Sequence, residues 1–300
     1  MSVLRKTNWS DGDLAIASPP AEILRLKRSD ASPLIGFLDL SFDALSTEEA
    51  GDEVMHQAAR NASFVYVATP NVDHRVRLER EPELKPLYDA AWMTLCDSRI
   101  IALLARMDGL CLPATPGADL VAHLFETRIR SDMAINVIGS SARVIELIKA
   151  RYSIADLRWH EAPMDMRYRP DAIARAAEFV ARNPAPLTFI CVGSPQQELV
   201  ARAISLRGDA KGVGLCCGAS LEFLSGVVSR APRWVRHLAL EWLHRLATNP
   251  IRFGRRYLID GPAIFPIWLA WRERLRTELG VLENGLTTRG GEAVSIHPVA

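Results

Sequence analysis

Short apolar runs alternate with longer stretches of helical spacing along most of the chain. The runs are rich in β-branched or aromatic residues, which is typical of buried strands. The stretches between them, such as 142–152 and 171–183, place apolar residues at helical intervals. This alternation predicts an α/β fold, a Rossmann-like and mainly parallel sheet with helices on both faces. The predicted strands are 34–38, 64–68, 92–96, 134–138, 157–160, 187–192 and 211–215.

Beyond Gly218 the pattern contains helices alone, over 220–225, 234–248 and roughly 251–279. The first 32 residues are polar, and the last stretch has Gly-Gly and Thr-Thr steps without periodicity, which is typical of loose termini. We therefore predict four segments: an N-terminal arm (1–32), a Rossmann-like core (33–228), a basic helical appendage (229–280) and a disordered tail (281–300).

The composition of the 300 residues, 49% hydrophobic and 24% charged, is that of a folded globular protein. A net charge of +1 predicts no nucleic-acid or membrane binding from bulk charge. The five cysteines have neither disulfide-framework nor zinc spacing, which favours a reducing, cytosolic compartment. The N-terminus lacks the apolar run of a secretory signal, and no apolar stretch is long enough to span a membrane.

Positive charge is concentrated in one place, since residues 230–259 contain seven arginines and one acidic residue, Glu241. Aromatic residues are interleaved with them. Three interpretations stay open for this stretch: a solvated basic helix face, a clamp for a diphosphate, and a contact with an anionic membrane surface.

Small and hydrogen-bonding residues follow five of the predicted strands. Ligands of open parallel sheets bind beyond the carboxyl ends of the strands, so this pattern predicts a site on one edge of the sheet. A simpler explanation exists as well, because Thr, Asn and Asp after a strand are common helix N-caps, and this applies to Thr69, Asn71 and Asp97. We read Ser194 as an N-cap and Pro195 as the first helical residue, which places the Gln197 amide near the crevice. The residues concerned are Thr69, Asn71, Asp97, Ser98, Gly139, Ser140, Gly193, Gln197 and Gly218.

Several classes of site are absent from the sequence. It has no GxGxxG after the first strand, no GxxxxGK[ST] and no GxSxG, which argues against a dinucleotide fold, a P-loop and a hydrolase elbow. The acidic triplet from Asp11 to Asp13 follows no strand, and we interpret it as a solvated acidic spot. Neither a metal nor another cofactor is expected.

Six motifs in a fixed order carry a family resemblance. They include Thr69-Pro70-Asn71-Val72-Asp73-His74, Cys96-Asp97-Ser98-Arg99 and Gly193-Ser194-Pro195-Gln196-Gln197-Glu198, followed by Gly218-Ala219-Ser220-Leu221-Glu222 and the basic segment from Arg230. Over about residues 34–257 the chain resembles the WecG/TagA/CpsF glycosyltransferases, glycosyltransferase family 26.

The resemblance implies an inverting, metal-independent transfer of a sugar from a UDP-sugar to a polyprenyl-diphosphate-linked saccharide. Such products enter bacterial exopolysaccharide, capsule or cell-wall polymers, and we favour an exopolysaccharide branch. It also implies a cytoplasmic enzyme at the inner face of the membrane, with the appendage against anionic lipid; an oligomer is possible. The alternatives are a nucleotide-binding regulatory protein without transferase chemistry and a nicotinamide-dependent oxidoreductase.

By resemblance, Asp97 is the catalytic base, and Thr69, Asn71 and Gln197 position donor and acceptor. The chain departs from many relatives at Ser98, where they have glycine, and this affects the identity of the sugars more than the reaction. The apolar stretch 263–271 is predicted to lie in the membrane surface through Phe265, Trp268 and Trp271, or else to pack on the core or an oligomer interface. The expected nucleotide and donor contacts are Gly139, Ser140, Gly193, Gly218, Glu222, Arg245, Arg252, Arg255 and Arg256.

Overall fold

The computed structural model describes residues 34–163, 165–232, 235 and 241–287. Within the last range, the side chains of residues 241, 244, 245, 252, 253 and 278–287 are outside the description. The predicted arm and most of the predicted tail therefore lie outside the described residues.

Six parallel strands form the main sheet, in the spatial order β4-β3-β8-β7-β5-β6. Every one of them lies within or overlaps a run predicted as a strand, so the α/β, Rossmann-like fold is confirmed. The strands are β3 (Val65–Ala68), β4 (Met93–Thr94), β5 (Ile135–Gly139), β6 (Leu157–His160), β7 (Leu187–Cys191) and β8 (Val213–Cys216).

The first predicted strand does not join this sheet. Residues Leu34–Phe37 (β1) pair in antiparallel fashion with Leu40–Asp43 (β2) as a separate hairpin. Leu38 and Asp39, between the two strands, both have positive φ angles, 53° and 61°. Two such residues make the tight turn that returns a chain directly on itself, so the run pairs locally.

Helices cover both faces of the main sheet, as predicted. The alternation of side chains along the strands produces two cores: Tyr66 and Ile190 face one of them, and Val67 and Phe189 face the other. On the first face lie α2 (Val72–Arg80), α3 (Lys85–Asp89), α4 (Arg99–Met107), α7 (Pro170–Arg182) and α8 (Gln196–Arg207), and on the second lie α1 (Thr47–Ala59), α5 (Gly117–Thr127), α6 (Ala142–Tyr152) and α9 (Ser220–Ser225).

The C-terminal part is helical, with successive changes of helix type. Helices α10 (Glu241–Thr248) and α11 (Pro250–Gly254) lead into a π-helical turn (Arg255–Asp260), a 3-10 turn (Gly261–Ala263) and the long helix α12 (Ile264–Thr287). Helix α12 therefore continues beyond residue 281, where the sequence predicts the tail to begin.

One face of α12 is packed on the core. Trp268 and Trp271 are only 7% and 9% exposed, and Ile264 is buried with them. Trp271 meets Phe37 of the hairpin edge-to-face at a centroid distance of 4.9 Å, and the Trp268 indole N–H donates to Asp108. The two tryptophans are thus not membrane-surface residues, and for them the alternative of core packing is correct.

Phe265 and Leu269 lie outside this packed face of α12 and are exposed. The amphipathic helix buries the tryptophans because indole rings bury large apolar areas, and for Trp268 the polar partner that a buried indole N–H needs is Asp108. None of the helices in the described ranges combines the length and hydrophobicity needed to cross a membrane.

Candidate functional site

The carboxyl ends of β4, β3, β8 and β7 lie side by side, and the segments after them surround two adjoining cavities. This is the sheet edge at which the sequence predicts a site. The sheet order explains the arrangement, because strands far apart in the sequence become neighbours.

The first cavity, which we call the polar cavity, has a volume of about 540 Å³. It opens between the ends of β3, β7 and β8 and the start of the C-terminal segment. Predicted site residues that line it are Thr69, Asn71, Asp97, Gly193, Gln197, Gly218, Glu222 and Arg256.

The second cavity, the apolar cavity, has a volume of about 350 Å³. It lies between the start of α4 and the C-terminal helices, and aromatic and aliphatic groups of both contribute to its wall. Its lining includes Ile100, Trp242, Tyr257, Pro262, Ile264 and Phe265.

Four residues line both cavities: Asn71, Asp73, Asp97 and Arg256. Asp97 follows β4, and its backbone N–H donates to the carbonyl of Pro70 at 3.0 Å, which ties the β4 end to the β3 end. The structure thus places the predicted base at the junction of a polar and an apolar space.

Two predicted positioning residues also have local structural roles. Thr69 is buried, and its hydroxyl donates to the carbonyl of Cys216 at 3.2 Å, across from β3 to β8. A Cβ atom on Gly117 would lie 2.9 Å from the Thr69 Oγ1, so glycine permits this close approach of α5.

Asn71 is the N-cap of α2, and its side-chain oxygen accepts from the backbone N–H groups of Asp73 and His74. Ser98 is the N-cap of α4 and accepts from the N–H of Ile101. The simpler interpretation as a cap is therefore correct for Asn71. It is wrong for Thr69 and Asp97, because the caps of the two helices are Asn71 and Ser98. Asn71 nevertheless lines both cavities, so its role as a cap does not remove it from the site.

The buried side chain of Gln197 links the loop after β8 to helix α8 by hydrogen bonds. It is 4% exposed; its side-chain oxygen accepts from the N–H of Gly218 at 2.8 Å and its amide donates to Glu198 at 2.8 Å. Gly218 has a φ of +50°, a conformation that favours glycine. The Gln197 side chain thus positions the loop after β8 and borders the polar cavity.

The predicted helix start at Ser194 is wrong in detail. Helix α8 begins at Gln196, with Pro195 as the N-cap residue and no side-chain cap. The Ser194 hydroxyl instead accepts from the guanidinium of Arg77 in α2 at 2.9 Å, and both residues line the polar cavity.

Glu198 is a fully buried carboxylate next to the site. Its Oε1 lies 3.6 Å from His74 Nε2 and accepts from Gln197. Burial disfavours the charged form, but the contacts with His74, Gln197 and Ser194 outweigh it, so the pKa of Glu198 lies below its ordinary value.

We expect the variant Glu198→Gln to lose about 1.5–3 kcal/mol of unfolding free energy at neutral pH, the scale of a hydrogen bond to a charged group. A lowered folded-state pKa stabilises the fold fully above the unfolded value of about 4.3, and this stabilisation is lost as the pH falls through the folded value. Urea unfolding of both proteins from pH 7 to pH 3 should therefore show a difference that shrinks on acidification. Glu178→Gln, in the exposed ion pair with Arg182, is the control. A difference that stays constant with pH would contradict the prediction.

The arginines of the site are only partly those predicted. Arg256 lines both cavities and lies 3.7 Å from the Asp73 carboxylate, whereas Arg255 is 81% exposed. Arg245 and Arg252 are on described helices, α10 and α11, but their side chains lie outside the described residues.

Sequence reasoning missed two arginines that line the polar cavity. Arg77 pairs with Asp73 at 2.8 Å, and Arg230 pairs with Asp119 at 2.7 Å. Arg230 belongs to the basic stretch counted above, and Arg77 has Asp73 four residues before it. Neither a basic stretch nor an acidic residue four positions earlier distinguishes an arginine that lines a cavity from an arginine in a surface ion pair.

Gly139 is the last residue of β5 and Ser140 follows it, but neither residue lines either cavity. Strand β7 lies between β5 and β8 in the sheet, which moves the β5 end away from the cavities. The carbonyl of Gly139 accepts from the Trp159 indole at 2.8 Å. The structure therefore does not bring these two residues together with the others.

Carboxylates border the polar cavity, but the described residues contain no group of three or more His, Cys, Asp or Glu arranged to hold a metal ion. Asp73 is occupied by Arg77 and Arg256. Independence from metal stays a prediction.

A family model described as "Glycosyl transferase WecG/TagA/CpsF family" matches residues 35–279. The match covers most of the chain, including both cavities. The chain belongs to the WecG/TagA/CpsF family of glycosyltransferases. As a member of that glycosyltransferase family it takes a sugar donor and an acceptor, and its site offers two adjoining cavities.

Proposed function

We propose that this WecG/TagA/CpsF protein is an inverting transferase that moves a sugar from a UDP-sugar in the polar cavity to a lipid-linked saccharide in the apolar cavity. The observation that carries this proposal is the meeting of two cavities of opposite character at Asp97. A nucleotide donor needs polar and cationic groups, whereas a lipid-linked acceptor needs apolar and aromatic ones.

The polar cavity has the chemistry of a nucleoside-diphosphate site. Arg77, Arg230 and Arg256 border it, and guanidinium groups bind phosphate oxygens in bidentate fashion. Glu222 lines the same cavity, and we propose that it accepts hydrogen bonds from ribose hydroxyls. The aspartates that now pair with the arginines keep these cations positioned until a diphosphate binds.

The reaction is a single displacement. Asp97 takes the proton of an acceptor hydroxyl, the hydroxyl oxygen bonds to the anomeric carbon, and the bond from that carbon to the UDP oxygen breaks. The electron pair of the broken bond leaves with UDP, and attack from the opposite side inverts the anomeric centre. The arginines stabilise the developing charge on UDP, in the place that a metal ion takes in other transferases.

The lipid-linked acceptor requires the enzyme to work at a bilayer surface. We propose that α12 meets the cytoplasmic leaflet with its exposed face, where Phe265 and Leu269 lie, while its tryptophan face stays on the core. The donor sugar, the acceptor saccharide and the polymer belong to bacterial exopolysaccharide, capsule or cell-wall synthesis.

Calorimetry with UDP, a panel of UDP-sugars and NAD(P)H, followed by UDP-release assays with lipid-linked acceptors, tests the proposal. We expect UDP and one UDP-sugar to bind, and turnover to persist in EDTA. Tight NAD(P)H binding without a response to UDP would indicate an oxidoreductase. UDP binding without turnover on any lipid-linked acceptor would indicate a regulatory protein. Loss of turnover in EDTA, with recovery on adding Mg²⁺ or Mn²⁺, would disprove the proposal that the arginines act without a metal. It would leave the proposed transferase function standing.

A further inference from the structure

Arg99 is a cation on the wall of the apolar cavity. It is the first residue of α4, two positions after Asp97, and its side chain is partly buried. Within the part of the chain that the structure describes, the Arg99 guanidinium makes no hydrogen bond and no ion pair.

The position is unfavourable for a purely structural arginine. A cation in the first turn of a helix faces the positive end of the helix dipole, and partial burial removes water from a charge that has no partner among the described residues. The other arginines around the cavities are each held by an aspartate: Arg77 and Arg256 by Asp73, and Arg230 by Asp119.

The surroundings of Arg99 define what it can bind. Asp97 and Asp73 line the same cavity, but Asp73 is already paired with two arginines. Asn71, Ser98 and Arg256 also line this cavity, but most of the remaining lining is apolar or aromatic. It includes Trp242 and Tyr257, whose ring centroids lie 6.2 Å from each other. In so apolar a space, a guanidinium fork prefers a carboxylate or a phosphate.

We propose that Arg99 holds an anionic group of the acceptor in the apolar cavity and thereby selects acidic acceptors. This inference rests on the proposed function, in which the acceptor occupies that cavity. The anion has two possible sources with the same chemistry: the diphosphate of a prenyl carrier, or the carboxylate of an acidic acceptor sugar. Either one places a neighbouring hydroxyl beside Asp97.

The test measures the binding of two matched pairs of probes to the protein saturated with UDP, which fills the polar cavity. Geranyl diphosphate is compared with geraniol, and octyl glucuronide with octyl glucoside. We expect the anionic member of at least one pair to bind about 10-fold or more tightly than its neutral partner. In Arg99→Gln that preference should disappear, and in Arg99→Lys it should persist in part. Arg106→Gln, exposed in the last turn of the same helix, should keep the full preference.

Each outcome has a defined meaning. A loss confined to geranyl diphosphate assigns the anion to the carrier, and a loss confined to octyl glucuronide assigns it to the sugar. Equal binding of anionic and neutral probes, or equal losses in Arg99→Gln and Arg106→Gln, would overturn the inference. Thermal melts check that the variants fold. If UDP does not bind, the proposed function fails, while the same comparison of variants without UDP still tests Arg99.

Discussion

Replacing Asp97 by asparagine is expected to lower turnover by about 10²–10⁴-fold, the usual contribution of a general base. Asparagine has nearly the same shape, but it cannot take a proton from the acceptor hydroxyl. Affinity for UDP should stay close to that of the wild type, because the cationic groups of the polar cavity are untouched. Single-turnover transfer and calorimetry with UDP measure the two quantities separately.

Asp132→Asn is a suitable control, since that carboxylate pairs with Arg130 on the surface and lines neither cavity. It should leave both turnover and UDP affinity unchanged. Near wild-type turnover in Asp97→Asn would remove Asp97 from the role of base. Loss of UDP affinity in Asp97→Asn would instead assign the residue to donor binding.

Trp271→Ala is expected to lower the free energy of unfolding by about 3–5 kcal/mol, the usual cost of truncating a large buried aromatic residue. Trp271 is 9% exposed and packs on Phe37, so its removal leaves a cavity between α12 and the hairpin. Leu269 of the same helix is 57% exposed, and Leu269→Ala should change the free energy of unfolding by less than about 0.5 kcal/mol. Urea unfolding of the two variants measures the difference.

The same helix allows a test of membrane association that does not disturb the fold. A variant with both Phe265→Ser and Leu269→Ser should melt like the wild type and sediment less with anionic liposomes at low salt. Equal sedimentation of wild type and variant would argue against a bilayer contact through this face. Removing α12 altogether is a poor experiment, because it also exposes the core beneath Trp268 and Trp271.

The sequence alone determined the kind of fold and the edge of the sheet that carries the site. Strand and helix periodicities are local properties, and they predicted the six strands of the main sheet and helices such as α6 and α9. Small and polar residues after β3, β4, β7 and β8 indicated one edge because parallel strands end on the same side. The motif order also indicated the family, which the match over 35–279 confirms.

Other properties depended on which distant segments become neighbours, and only the tertiary structure decided them. The order of the strands brings β8 next to β3 and leaves Gly139 and Ser140 beside β6, outside both cavities. A positive-φ turn keeps the first strand in a hairpin.

The same holds for individual side chains. An amphipathic helix has an apolar side in its sequence, but its docking partner decides whether that side meets protein or membrane, and for Trp268 and Trp271 the partner is the core. The sequence shows that an arginine is charged but not which groups surround it. Only packing shows that Arg77 and Arg230 border the polar cavity with paired aspartates, while Arg99 lines the apolar cavity. Contacts between residues far apart in the chain leave no periodic pattern in the sequence.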